Sequence, residues 1–254
     1  MKFFLGTHQP QWLSRVNVPL FVSDTTLRKR RYLPAATCSW ALDSGAYSML
    51  NSGYGWQISP ETYINNIRDY VKFIGNLEWA APQDSMCEPW ILRKYGAYPE
   101  DHIDDTVDNY DILANMAPDL NIIPSIQGWE IDEYLYCIDQ YRSRGYDLTT
   151  YPLVGLGSIC RRQHTQKIYE IVKTIHDLGI KIHGFGVKTE GFKLYGHMLA
   201  SADSMKWSRE GRDHPEIVAT PTCRETHINC ANCLPWALQW RESLNPYISM
   251  RYPE

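Results

Sequence analysis

The stretch Leu153-Val-Gly-Leu-Gly-Ser158, then Arg161–Leu178, then Ile180-Lys-Ile-His-Gly-Phe-Gly-Val-Lys188 decides the fold. Leu153–Leu156 is a short apolar run that ends at Gly157-Ser158, the pattern of a buried strand. Arg161–Leu178 reads as a helix stopped by Gly179. Ile180–Phe185 is apolar again and ends at Gly186-Val187-Lys188. Strand, helix, strand in about 35 residues is the unit that lays two parallel strands side by side under a covering helix.

The same alternation runs outward in both directions. Phe3–Thr7, Leu20–Ser23 and Thr37–Leu42 read as strands, the last ending at Asp43-Ser44-Gly45. Ser59 and Pro60 open a helix over Glu61–Ile74, with Tyr63, Ile64, Ile67, Tyr70, Val71 and Ile74 at helical spacing. Leu77–Pro82 and Ile122–Ile126 are strands that end at Gln83-Asp84 and at Gln127-Gly128. Asp104–Met116 and Glu130–Arg144 are the helices that follow them. Phe192–Leu199 is a short helix, the next strand ends at Asp203, and Leu234–Ser243 is the last helix. Near eight strands in this order predict an α/β protein, a (β/α)8 TIM barrel, rather than an open doubly wound sheet. No Gly-x-Gly-x-x-Gly follows the first strand, which argues against a dinucleotide-binding fold. One domain over 1–254 is expected, with a zinc-binding subdomain at about 214–245 inserted near the C-terminus.

The chain has 254 residues, 44% hydrophobic and 21% charged, with net charge −4. It has no global basic signature, so any polyanion must meet a local patch such as Arg28-Lys-Arg-Arg31, Arg161-Arg162, or Arg209 and Arg212. No run approaches the roughly 18 apolar residues of a membrane helix, and the N-terminal apolar run is too short for a signal peptide. The odd total of seven cysteines is not a secreted disulfide framework. A soluble protein of a reducing cytoplasm is expected.

Three of those cysteines cluster: Cys223-Arg-Glu-Thr-His227-Ile-Asn-Cys230-Ala-Asn-Cys233. The Cys-x-x-Cys spacing lets two thiolates grip one ion from a tight turn, and Cys223 and His227 complete a tetrahedron. Structural Zn2+ is the expectation, and a redox pair of Cys230 and Cys233 is the alternative. A redox pair opens a helix after a strand, whereas Pro221 and Thr222 precede this cluster.

Polar residues mark successive strand ends: Asp43, Asp84, Gln127, the Gly155–Ser158 turn, the Gly184–Lys188 turn and Asp203. In a barrel these ends converge on one face, where active sites sit. Three carboxylates meeting there would push one another's pKa values apart and divide acid–base from nucleophilic work.

These segments carry a resemblance. Leu42-Asp43-Ser44-Gly45-Ala46-Tyr47 resembles the Asp-Ser-Gly-Gly-Phe signature of tRNA-guanine transglycosylases, and Pro82-Gln-Asp84-Ser85 their second Asp motif. Ser125-Ile-Gln127-Gly128 is similar to Val-Gln-Gly, Val154–Ser158 to the Gly-Gly-Leu turn, and His183-Gly-Phe-Gly186 to Met-Gly-Val-Gly. Ala202-Asp203-Ser204 with Ser208–Arg212 resembles the Phe-Asp-Ser and Arg-Asp-Gly-Arg segments, and the cysteine cluster follows as in that family. The motifs keep their order over roughly residues 40–235. Ile228 stands where the family's zinc pattern usually has its middle Cys. The compact pattern is most similar to the phage and bacterial branch that inserts 7-deazaguanines into DNA.

The resemblance implies base exchange at a nucleoside. Asp203 would be the nucleophile at C1′ and Asp43 the general acid and base. Asp84 would accept from N1–H and the exocyclic amine, and Gln127 with the Gly155, Leu156 and Gly157 backbone would meet O6. Ser44 belongs to the same base site, and Tyr47 or Trp129 would stack on the base. DNA and a free base such as preQ0 are the implied partners, with tRNA the alternative. A helper that opens the duplex and a homodimer are further partners this reading leaves room for. The target nucleotide must be extruded or single-stranded, which calls on Arg28–Arg31, Lys188, Lys206, Arg209 and Arg212 for phosphate. A non-catalytic binding subunit would lack the three aspartates. A metal-dependent barrel hydrolase would need an early His-x-His, whereas His8 stands alone.

Overall fold

A computed structural model describes residues 1–160, 162, 165–218 and 229–248, with the backbone alone for residues 217 and 218. The strands are β1 (Lys2–Thr7), β2 (Leu20–Ser23), β3 (Trp40–Asp43), β4 (Leu77–Ala80), β5 (Ser125–Ile126), β6 (Val154–Leu156), β7 (Ile182–Gly184) and β8 (Leu199–Ser204). They form one eight-stranded sheet in the order β4-β3-β2-β1-β8-β7-β6-β5, and its paired strands run parallel. The two edges meet where Ala80 pairs with Ile122. There the Ala80 amide donates to Asn121 O at 2.9 Å and the Ile123 amide to Ala80 O at 3.0 Å. The sheet is therefore TIM-barrel-like.

Successive side chains on a strand point to opposite faces, and here both faces are dry. Phe4, Phe21, Ala41, Trp79, Ala81 and Ile123 fill the lumen. Their neighbours Phe3, Leu5, Leu20, Val22, Trp40 and Leu42 pack outward into the main core. That is why the strands read as continuous apolar runs.

The helices of that outer layer are α1 (Asp24–Leu27), α2 (Ala46–Ser52), α3 (Pro60–Phe73), α4 (Pro89–Tyr95), α5 (Pro99–Met116), α6 (Ile131–Ser143), α7 (Gln166–Asp177), α8 (Thr189–Tyr195) and α9 (Lys206–Asp213). On α7, Ile168, Ile171, Val172 and Ile175 recur at helical spacing and are buried. Burying each side chain of this size contributes about 1.5–3 kcal/mol. This helix starts later than Arg161 because Thr165 caps it, its hydroxyl accepting from the Ile168 amide at 3.4 Å. Arg161, Gln163 and His164 lie outside the described residues.

Other boundaries shift for local reasons. α5 begins at Pro99, not Asp104, because Asp101 accepts from the Tyr98 amide at 2.8 Å and Pro99 suits a first turn. β3 begins at Trp40, not Thr37. β5 keeps only Ser125–Ile126 of the expected Ile122–Ile126, since Pro124 has no N–H for the ladder. A 3-10 turn, Pro10–Ser14, stands between β1 and β2 in place of a full helix. The last long helix is Leu234–Ser243, as read from the sequence.

Candidate active site

Asp43 ends β3, Asp84 follows β4, Gln127 follows β5, Gly157 follows β6 and Asp203 lies near the end of β8. All five line one cavity of about 490 Å³ at the C-terminal ends of the strands, and Tyr47 lines it from the start of α2. Ser44, Gly155 and Leu156, expected in the base site, are not among its lining residues. Ser44 is buried, and its hydroxyl has no hydrogen-bond partner among the described residues. Gly155 sits against the Phe185 ring, where an added Cβ would lie 2.5 Å from Cε2. Leu156 belongs to the outer core.

Two glycines turn backbone amides toward carboxylates. Gly45, at φ +87°, donates to Asp43 Oδ1 at 3.1 Å, and Gly186, at φ +64°, donates to Asp203 Oδ1 at 2.8 Å. Both conformations are left-handed, which glycine adopts without a Cβ penalty.

The carboxylates differ in surroundings. Burial pushes Asp43 up to about 6, and the nearby charges of Asp203 and Asp24 add to this. The Gly45 amide and the Ser23 hydroxyl pull it down. Burial also pushes Asp84 up to about 6, opposed by Gln127 and Ser125 and reinforced by the charge of Asp43. Ser125 Oγ donates to Asp84 Oδ2 at 3.1 Å, and Gln127 Nε2 donates to the same oxygen. Two groups near 6 carry a proton part of the time at neutral pH, which suits proton transfer. Asp203 is 6% exposed and takes the Gly186 amide on Oδ1, an arrangement that holds a carboxylate in one orientation.

The Gln127 amide is engaged before any ligand arrives. Besides Asp84, it accepts on Oε1 from Ser158 Oγ at 2.7 Å. Ser158 is left-handed at φ +54°, and its Oγ also lies 2.9 Å from Glu88 Oε2 and accepts from the Cys87 amide at 3.0 Å. Sequence reading found Asp84 and Gln127 but missed Glu88, because it sits eight residues past the end of β4. His8, Phe185 and Met205 also line the cavity and were missed as site residues.

Tyr47 is 43% exposed at the cavity wall. The Trp129 ring is covered, since the Arg162 guanidinium lies 3.6 Å over it and Trp90 meets it edge-on. Of the basic residues, Arg28 lies beside the fully buried Asp24 at 3.3 Å. Lys206 pairs with Glu210, and Arg209 and Arg212 with Asp213. Lys29, Arg30 and Arg31 are exposed.

Cys230 and Cys233 are both buried and bracket a 3-10 turn, with the Cys233 amide donating to Cys230 O at 3.2 Å. Cys223 and His227 lie outside the described residues. Among the described residues no group of three or more His, Cys, Asp or Glu side chains could hold a metal ion. The turn packs on α9: Ser208 Oγ donates to Ala231 O at 2.8 Å, and Trp236 Nε1 to Trp207 O at 2.9 Å. Asn232 reaches His8 and accepts from Gln9 Nε2 at 2.8 Å, so the turn touches the cavity rim. Among the described residues no helix is long and apolar enough to cross a membrane.

No protein of curated function matches this chain by sequence. Among solved structures, a Sinorhizobium meliloti protein assigned provisionally as an isomerase, in an open-loop conformation, is 11% identical with a TM-score of 0.41. The match covers 80% of this chain and 49% of that one, so this chain spans about half the length of that protein. Residues 1–253 match DpdA, DeoxyPurine in DNA protein A. The chain belongs to that family, a tRNA-guanine transglycosylase-like family involved in 7-deazaguanine modification of DNA.

Proposed function

We propose that this protein exchanges guanine in DNA for a free 7-deazaguanine base such as preQ0, through a covalent sugar ester of Asp203. The observation that carries the reading is the convergence of Asp43, Asp84 and Asp203 on one cavity. Asp203 bonds to C1′ as the C1′–N9 bond breaks. The bonding pair stays on guanine, which takes a proton from Asp43. The incoming base gives its N9 proton back to Asp43 and bonds to C1′, and Asp203 leaves as a carboxylate. Charge and protons balance over the cycle, and two displacements retain configuration. Asp84 meets N1–H and the exocyclic amine, which a carboxylate matches with two acceptors. Gln127 keeps Asp84 aimed, and Tyr47 stacks on the base.

The target nucleotide leaves the duplex to reach this cavity, and the exposed Lys29, Arg30 and Arg31 are the proposed phosphate contacts. Cys230 and Cys233, with Cys223 and His227, would hold Zn2+. The buried paired thiols at Cys-x-x-Cys spacing fit such an ion. Bound there, it supplies a cross-link and no chemistry, holding the segment after Asp203 to the barrel.

The test offers labelled preQ0 with tRNA, single-stranded DNA and a duplex carrying an unpaired bubble, which removes the need for a duplex-opening helper. Label should enter DNA, and DNA without free base should yield a denaturation-resistant protein–DNA complex that Asp203→Asn abolishes. Label entering tRNA alone overturns the DNA reading.

A further inference from the structure

We propose that His183 is the positioning residue for Asp203, holding Oδ1 so that Oδ2 is the oxygen that attacks and later leaves C1′; this rests on the base-exchange reading above. His183 lies in the lumen beneath the cavity and is fully buried. Four aromatic rings surround it: Trp79 at 4.6 Å, Phe185 at 4.9 Å, Phe21 at 5.8 Å and Phe4 at 6.1 Å between centroids. A polar ring in such a place is costly unless its nitrogens have partners. Nδ1 has one, Ser201 Oγ at 2.8 Å. Nε2 makes no ordinary hydrogen bond among the described residues, and it faces Asp203 Oδ1 at 3.4 Å.

The tautomer follows from these two contacts. With the proton on Nδ1 alone, the Nε2 lone pair would point at a carboxylate oxygen. With Ser201 donating to Nδ1, the proton sits on Nε2 and faces Asp203 favourably. Burial lowers the pKa of the ring while Asp203 raises it, and the net direction is down, in keeping with a neutral imidazole. Among the described residues, the two polar contacts to Asp203, from Gly186 N and His183 Nε2, both fall on Oδ1.

The consequence is asymmetric between the two chemical steps. Donors on Oδ1 favour the charged carboxylate. Charge disappears from Asp203 when the ester forms and returns when the ester breaks. Removing the Nε2 donor should therefore slow breakdown of the sugar ester more than its formation. A merely structural role for His183 would lower both together.

The experiment compares His183→Phe, His183→Gln and Ser201→Ala with the wild type, using single-stranded DNA and preQ0. Exchange turnover and the steady-state fraction of protein in the denaturation-resistant complex are read together. His183→Phe should lower turnover about tenfold, equivalent to about 1.4 kcal/mol, while the trapped fraction rises. His183→Gln, which keeps a donor, should recover most of the turnover. Ser201→Ala, which frees the tautomer, should lower turnover about threefold while the trapped fraction rises, and it carries the test if His183→Phe does not fold. Turnover and trapped fraction falling together, or both unchanged, overturns the assignment. A wild type that neither exchanges nor traps DNA overturns the base-exchange reading instead.

Discussion

Gly157→Ala adds one methyl where β6 ends. The new Cβ would lie 2.5 Å from Gln127 Cδ and 2.6 Å from Oε1, against about 3.5–4.0 Å for relaxed contact between carbons. Gln127 must swing away. It is not a loose side chain, because Nε2 donates to Asp84 and Oε1 accepts from Ser158 at 2.7 Å. A hydrogen bond to a charged group contributes about 1.5–3 kcal/mol and a neutral one about 1 kcal/mol. Losing both costs roughly 2.5–4 kcal/mol. Urea denaturation followed by tryptophan fluorescence should show that loss, and kcat/KM for the incoming base should fall at least tenfold as Asp84 loses its aim. In a Gln127→Ala background the methyl has nothing to strike, so the second change should add less than about 0.5 kcal/mol. Full additivity of the two substitutions would refute the reasoning.

Two further predictions come from the same geometry. Asp84 is raised from 3.8 to about 6, so its carboxyl favours the folded state when protonated, and that advantage fades as pH rises through 6. Asp84→Asn removes the dependence. Relative to wild type the variant should gain stability from about pH 4 to about pH 6 and hold that gain above it, on the order of 3 kcal/mol on the plateau, while losing base exchange; a gap that stays flat between about pH 4 and about pH 6 sinks the reading. Gly211→Ala would put a Cβ 2.5 Å from the backbone carbonyl of Cys230. Prising the Cys-x-x-Cys turn from α9 should cost about 1–3 kcal/mol and make the melting temperature more sensitive to a metal chelator; an unchanged melting curve would contradict that packing.

The strand ends were legible because each couples a short apolar run to a polar residue or a glycine. Asp43, Asp84, Gln127 and Asp203 stand out for that reason, and all four line the cavity. What could not be read were contacts across the ring. Ser158 and Glu88 are 70 residues apart, and their meeting depends on the left-handed turn at Ser158. His183 stood out in the sequence only as the start of the His183-Gly-Phe-Gly186 turn, since no local pattern shows that Ser201 and Asp203 flank it from the next strand. α2, α4 and α9 were missed because each is only seven or eight residues long. Arg28 read as a phosphate contact until its buried neighbour Asp24 came into view. Cys223 and His227 fall outside the described residues, so the cluster that stood out most in the sequence is only half visible in the fold.

The pairing of β1 with β8 places Phe4 beside Asp203 and Lys2 beside Ser201. These partners are about 200 residues apart in the chain. During synthesis, β1 leaves the ribosome long before its neighbour exists, and closing so long a loop makes the pairing slow. Asp203 thus gains its final setting only when the first strand and the last are joined. A half-finished polypeptide has no closed cavity, so assembly of the ring itself times when Asp203, the proposed nucleophile, is set in place.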